Sequence, residues 1–91
     1  MTIQELYATI CDRRDDPTPE SYTARLLSLG EDEIIKKIGE ESVEIILAAK
    51  SQGDQRLVEE IADLTYHVLV LLASRHIQPE AIAEELANRH R

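Results

Sequence analysis

Between Ile34 and Leu72 the chain holds two long runs in which apolar residues recur at spacings of three and four, and Gly53 breaks them apart. That period belongs to the α-helix, and no segment of the chain alternates with period two long enough to read as a strand. The first run carries Ile34, Ile35, Ile38, Ile45, Ile46 and Ala49 as its buried stripe and spans about Asp32 to Ser51. The second, opened by Asp54 as a cap, carries Leu57, Val58, Ile61, Leu64, Val68, Leu71 and Leu72 and reaches Ser74 or Arg75. A turn this short makes the two helices antiparallel neighbours. Gly39 interrupts the first at a cost of ~1 kcal/mol relative to Ala, and either allows close backbone approach or is tolerated slack.

Three further helices complete an all-α reading. Ile3, Leu6, Tyr7 and Ile10 mark one face of a helix ending near Arg14. Asp15 to Pro19 is a linker, because its prolines lack N–H donors and restrict their neighbours. Thr18 is positioned to cap the next helix, with Pro19 in its first turn, and Gly30 ends it after Tyr22, Leu26, Leu27 and Leu29. Pro79 opens the last helix, with Ile82 and Leu86 facing inward. The 91 residues allow one domain, covering 1–91, built from about five helices. Phe and Trp are absent, so Ile, Leu, Val and Ala must form the core. The stretch Val68 to Ala73 is apolar nearly all round and asks to be covered on every side. In so short a chain a second subunit is the simplest cover.

Charge and cysteine usage narrow the setting. A net charge of −8 argues against non-specific nucleic-acid binding, which needs a basic surface. A phosphorylated ligand stays compatible, since a divalent cation can bridge acidic protein and acidic substrate. Cys11 is the single cysteine, so no intrachain disulfide forms; beside Ile10 it reads as a packing residue. There is no signal-peptide pattern, and the longest apolar run is far short of a membrane span, so a soluble cytoplasmic protein is expected.

The chemistry sits in Glu40-Glu41-Ser42-Val43-Glu44 and Glu59-Glu60-Ile61-Ala62-Asp63. Residues three apart share a helix face, so Glu41 projects with Glu44, and Glu60 with Asp63. Counted from the turn, the two pairs lie at comparable heights. Four facing carboxylates repel unless a cation sits among them. All are hard oxygen donors, which select Mg²⁺ or Mn²⁺ over zinc or copper. A solvated acidic face, offset by Lys36, Lys37 and Arg56, accounts for the same spacing, and spacing alone does not decide between the two. His67 lies one turn after Asp63; a lone histidine on an apolar helix is more often a satisfied polar group than a ligand contact. Lys37 precedes Glu41 by one turn and could meet a phosphate or offset the acidic patch.

Nearly the whole chain resembles the phosphoribosyl-ATP pyrophosphohydrolase family of histidine biosynthesis. The resemblance is carried by Ser21 to Leu27, Ile38 to Glu44, Ala48 to Lys50, Glu60 to Leu71 and Glu85 to His90. Thr65 departs from the pattern, standing where Leu is usual. The wider group is the all-α nucleotide pyrophosphohydrolases, similar to MazG and the dimeric dUTPases, with the pattern EExxE followed by ExxD. The resemblance implies a homodimer or higher homo-oligomer with a four-helix core, Mg²⁺ held by Glu41, Glu44, Glu60 and Asp63, and hydrolysis of 1-(5-phosphoribosyl)-ATP to the AMP derivative and pyrophosphate. Glu40 or Glu44 would orient or deprotonate the attacking water, with Glu40 otherwise lying just behind the metal ligands. Arg25, Lys37 and Arg89 are candidate phosphate contacts, and His67 a candidate substrate contact. A housecleaning enzyme for ordinary or damaged nucleoside triphosphates and a non-enzymatic cation-binding helical dimer remain alternatives. A di-iron bundle is disfavoured, because it wants two Glu-x-x-His motifs.

Overall fold

A computed structural model of the chain describes residues 1–90 as five helices and, among those residues, no strand. They are α1 (Ile3–Asp15), α2 (Tyr22–Leu29), α3 (Glu31–Ser51), α4 (Asp54–Ser74) and α5 (Glu80–Arg89). α3 and α4 form the long antiparallel hairpin that the periodicity predicts, and α1 and α2 pack across them. Thr2 and Glu5 start α1 with a reciprocal capping box: Thr2 Oγ1 accepts the Glu5 N–H at 3.0 Å and Glu5 Oε1 the Thr2 N–H at 2.9 Å. The two tight corners sit at Gly30 (φ 100°) and Gly53 (φ 87°), a backbone region that residues with a Cβ avoid.

Two starts differ from expectation. α2 begins not at Thr18–Pro19 but at Tyr22, because residues 18–21 turn back on themselves, with the Ser21 N–H bonded to the Thr18 carbonyl at 3.1 Å. Ser21 becomes the cap, its Oγ accepting the Ala24 N–H at 3.1 Å. At α4, Gly53 takes the cap position and Asp54 is already helical, its side chain capping nothing. Asp54 still places negative charge at the positive end of the helix dipole.

The core is Tyr7, Ile10, Leu26, Ile34, Leu69, Val70 and Ala73, with Cys11, Ile38, Tyr66, Leu71 and Leu72 among the residues packed against it. It joins the first half of α3 to the second half of α4, beneath α1 and α2. The segment Val68 to Ala73 is covered in part from within the chain, chiefly by α1: Leu69, Val70 and Ala73 are buried, while Val68, Leu71 and Leu72 are half-buried. The α3 stripe is also shifted. Ile34, Ile38, Ile45 and Ala48 turn inward, whereas Ile35, Ile46 and Ala49 are exposed. With Val43, Leu47, Val58 and Ile61 they leave the hairpin apolar on its open side. Gly39 meets no close approach, since a Cβ built on it would touch nothing within 4 Å.

α5 stands off from the other four helices and buries no residue. Ile82 and Leu86, expected to face inward, are about half exposed and line an apolar groove of about 380 Å³ shared with Ile3, Leu64, Val68 and Leu72. The loop before α5 is fixed by the Tyr7 hydroxyl, which donates to the Ile77 carbonyl at 2.6 Å. None of the described helices is long and apolar enough to cross a membrane.

Candidate active site

The hairpin brings the two acidic segments alongside each other just past the packed core. Glu60 is buried, 6% exposed, although it is a carboxylate. Glu41 on α3 is nearly as enclosed, with 12% of its side chain exposed. Glu44 is half-buried, and Asp63 and Glu40 are exposed. A buried carboxylate is costly unless paired, so the partners of Glu41 and Glu60 define the site.

Glu41 meets His67. Its Oε1 lies 2.5 Å from His67 Nδ1, a contact between α3 and α4. The same Nδ1 lies 3.0 Å from the Asp63 carbonyl oxygen. Two acceptors around one nitrogen place the ring proton on Nδ1. Nε2 is hydrogen-bonded to the Tyr22 hydroxyl at 3.3 Å. His67 is 7% exposed and both its nitrogens are engaged, so it is an interior strut between α2, α3 and α4. Tyr66 closes this corner, its ring centroid 4.9 Å from that of His67 in an edge-on arrangement and its hydroxyl hydrogen-bonded to Thr23. Burial raises the Tyr66 phenol above its ordinary range.

Glu60 meets Arg56. The guanidinium bonds Glu60 through Nη2 and Glu59 through Nη1, the latter at 2.8 Å. The hydrogen bond to Glu59 holds the Arg56 proton most firmly, followed by the charge of Glu60, with Glu44 adding its own across the helix pair. Glu44 and Glu60 thus share one neighbourhood, while Glu41 belongs to His67. Among the described residues no three of His, Cys, Asp and Glu converge closely enough to hold one ion. Of the four expected ligands, Glu41 keeps to His67 while Glu60 and Glu44 gather about Arg56, and Asp63 is exposed. Their chemistry fits a hard divalent cation: every free donor is a carboxylate oxygen, and the one imidazole nearby is spent on backbone, Glu41 and tyrosine.

The expected cations divide. Arg25 and Lys37 line one groove of about 420 Å³ between α2 and α3, along with Tyr22, Leu29 and Glu33. Arg25 is held by a bond from Nη1 to the Pro19 carbonyl at 3.1 Å, and Lys37 Nζ lies 3.6 Å from Glu40 Oε2. Arg89 is not brought to the site: it lies on α5, paired with Glu85 at 3.0 Å. Two contributors were not singled out as site residues from the sequence, Arg56 and Tyr22. The i, i+3 and i, i+4 spacing of Arg56 to Glu59 and Glu60 was the available signal, and it reads equally well as surface charge balance. The contact from Tyr22 to His67 spans 45 residues and leaves no local signal.

The family model "Phosphoribosyl-ATP pyrophosphohydrolase" matches residues 3–90. A protein named phosphoribosyl-ATP pyrophosphatase from Pelotomaculum thermopropionicum is 53% identical over 96% of this chain and 89% of its own length. A Bacillus cereus protein of the same name is 48% identical over 98% of the chain and 83% of its own length. The histidine biosynthesis bifunctional protein HisIE from Synechocystis sp. is 47% identical over 98% of this chain, which spans only 41% of that longer protein. A match this complete fixes the assignment: the chain belongs to the phosphoribosyl-ATP pyrophosphohydrolase family.

Proposed function

We propose that the chain hydrolyses phosphoribosyl-ATP to phosphoribosyl-AMP and pyrophosphate, with Mg²⁺ held by Glu41, Glu44, Glu60 and Asp63. The observation that carries this reading is Glu60, a buried carboxylate with Glu44 close by across the helix pair and Glu41 one turn along α3. Bound Mg²⁺, or Mn²⁺ in its place, would supply charge neutralisation on the polyphosphate and a fixed position for its oxygens. His67 sets Glu41 by holding it from α4, so the carboxylate need not be ordered at the moment of binding. Arg25 and Lys37, facing one groove, grip phosphate oxygens, the arginine with a two-pronged fork and the lysine as a point charge. Glu40 or Glu44 orients or deprotonates the attacking water. Arg89 serves the same chain only if α5 moves, or a second copy if α5 reaches across.

The same reading takes the protein as a cytoplasmic homodimer whose open hairpin faces, Val43, Ile46, Leu47, Val58 and Ile61, pair into a four-helix core. The decisive measurement is pyrophosphate release from phosphoribosyl-ATP against a panel of nucleoside triphosphates at saturating Mg²⁺. Release from phosphoribosyl-ATP, lost in Glu44→Gln and in Asp63→Asn while circular dichroism shows intact helices, is the expected result. Near-wild-type turnover in either variant sinks the four-carboxylate site. Preference for a common nucleoside triphosphate moves the enzyme to a housecleaning role.

A further inference from the structure

Among the described residues Arg56 is the one cation bonded to the buried carboxylate of Glu60, and the two partners are unequally placed. Glu60 has 8% of its side chain exposed and Arg56 has 48%. A carboxylate so enclosed cannot go unpaired without a large penalty. A half-exposed guanidinium, by contrast, regains water on leaving, because surface ion pairs are weak. Arg56 also has a second place to rest. Its Nη1 bonds Glu59 Oε1 at 2.8 Å, and Gln55 Nε2 steadies the other Glu59 oxygen at 3.1 Å. The guanidinium can therefore release Glu60 without losing every anionic partner.

This inference rests on the metal reading above. A divalent cation bound there draws on the Glu60 carboxylate, whose Oε1 Arg56 occupies, and two positive groups on one carboxylate repel. We propose that Arg56 is a resident counter-cation, which holds Glu60 in the metal-free chain and must swing onto Glu59 before a divalent metal ion can bind. The buried Glu60 carboxylate then always has a positive partner, arginine before the metal binds and the metal after. The metal affinity is set by this competition and is weaker than the carboxylates alone would give.

Binding of Mn²⁺ itself, followed by the loss of the free-ion electron paramagnetic resonance signal, tests the idea without turnover. Arg56→Gln is expected to bind Mn²⁺ roughly three- to tenfold more tightly than the wild type, the range set by losing one partly exposed charge-assisted pair. Arg56→Lys, which keeps the charge and loses the fork, falls between them. Arg75→Gln removes the same charge from an ion pair with Glu31, away from the acidic segments, and binds as the wild type does. Without metal, Arg56→Gln melts at a lower temperature than the wild type, and Mn²⁺ raises its melting temperature by more. Affinity in Arg56→Gln equal to or below that of the wild type overturns the competition and leaves the metal site standing. No Mn²⁺ binding by any of the four proteins overturns the metal reading and this inference with it. Should Arg56→Gln fail to fold, Arg56→Lys decides: tighter binding supports the competition and unchanged binding refutes it.

Discussion

Replacing Ile46 with glutamate tests what the open face of the hairpin is for. Ile46 lies on α3, 59% exposed, with Val43 and Leu47 beside it and Val58 and Ile61 exposed on α4. Covering a fully exposed isoleucine is worth about 1.5–3 kcal/mol, so covering the exposed three-fifths of Ile46 contributes roughly 1–2 kcal/mol. A glutamate at that position forfeits this and must also lose hydration without a partner, a further ~2 kcal/mol at least. A two-fold interface presents each residue twice, so the loss doubles to about 6–8 kcal/mol, roughly four to six powers of ten in the dissociation constant. Ile46 takes no part in the buried cluster under α1 and α2, so the monomer keeps its helices. Sedimentation velocity over a concentration series, with circular dichroism alongside, reads both quantities. The expected result is a wild-type dimer and a folded, monomeric Ile46→Glu. A wild type that stays monomeric throughout, or a variant that dimerises as tightly as the wild type, refutes the assignment of this face.

Two further outcomes follow from local features. Gly39 sits inside α3 with open space where a side chain would go, so Gly39→Ala should stabilise the protein by about 0.5–1 kcal/mol, seen as a higher melting temperature; a lower one would mean that another backbone packs there. The pH profile of stability should be a plateau with two declining flanks. Glu5 is held below its ordinary 4.5 by the Thr2 N–H, Glu31 by Arg75 and Glu59 by Gln55 and then Arg56, while Arg14 holds Asp15 below 3.8. Depressed folded-state values give stability that is present above the ordinary values and lost as pH falls through the folded ones. Three of the four carboxylates are exposed and Glu31 is half-buried, so the acid flank is shallow. Burial raises Tyr7 and Tyr66 above 10.0, so their contribution is whole below that pH and is lost as pH rises. Urea midpoints across the range measure both flanks, and a midpoint that climbs on acidification below 4.5 contradicts the assignment.

The helices and the acidic residues were legible because each depends on local spacing. Glu41 with Glu44, and Glu60 with Asp63, follow from a three-residue step and one short turn. What lay beyond local spacing was harder to read. α3 carries two apolar stripes, Ile34-Ile38-Ile45-Ala48 and Ile35-Val43-Ile46-Leu47, and periodicity reports that a face is apolar without saying which neighbour covers it. The same ambiguity assigned Ile82 and Leu86 an inward position that the stand-off of α5 denies them. The cap expected at Thr18 gives way to Ser21, because the turn through residues 18–21 delays the helix. At the site, His67 touching Glu41 and Tyr22 is a tertiary event with no sequence signature. Arg56 was visible only as charge balance, because its meaning depends on the burial of Glu60.

The placement of the core at one end of the hairpin divides the molecule by what holds it together. The Ile34 and Val70 end is secured by covalent neighbours, so its opening is unimolecular and indifferent to concentration. On the dimer reading, the end near the Gln52–Gly53 turn is secured by mass action. Diluting the enzyme would then loosen the Glu44 and Glu60 region, and speed amide exchange there, while the Tyr7 cluster stays protected. Dilution would thus lower activity per molecule before it unfolds anything, so total protein concentration becomes a control on the reaction.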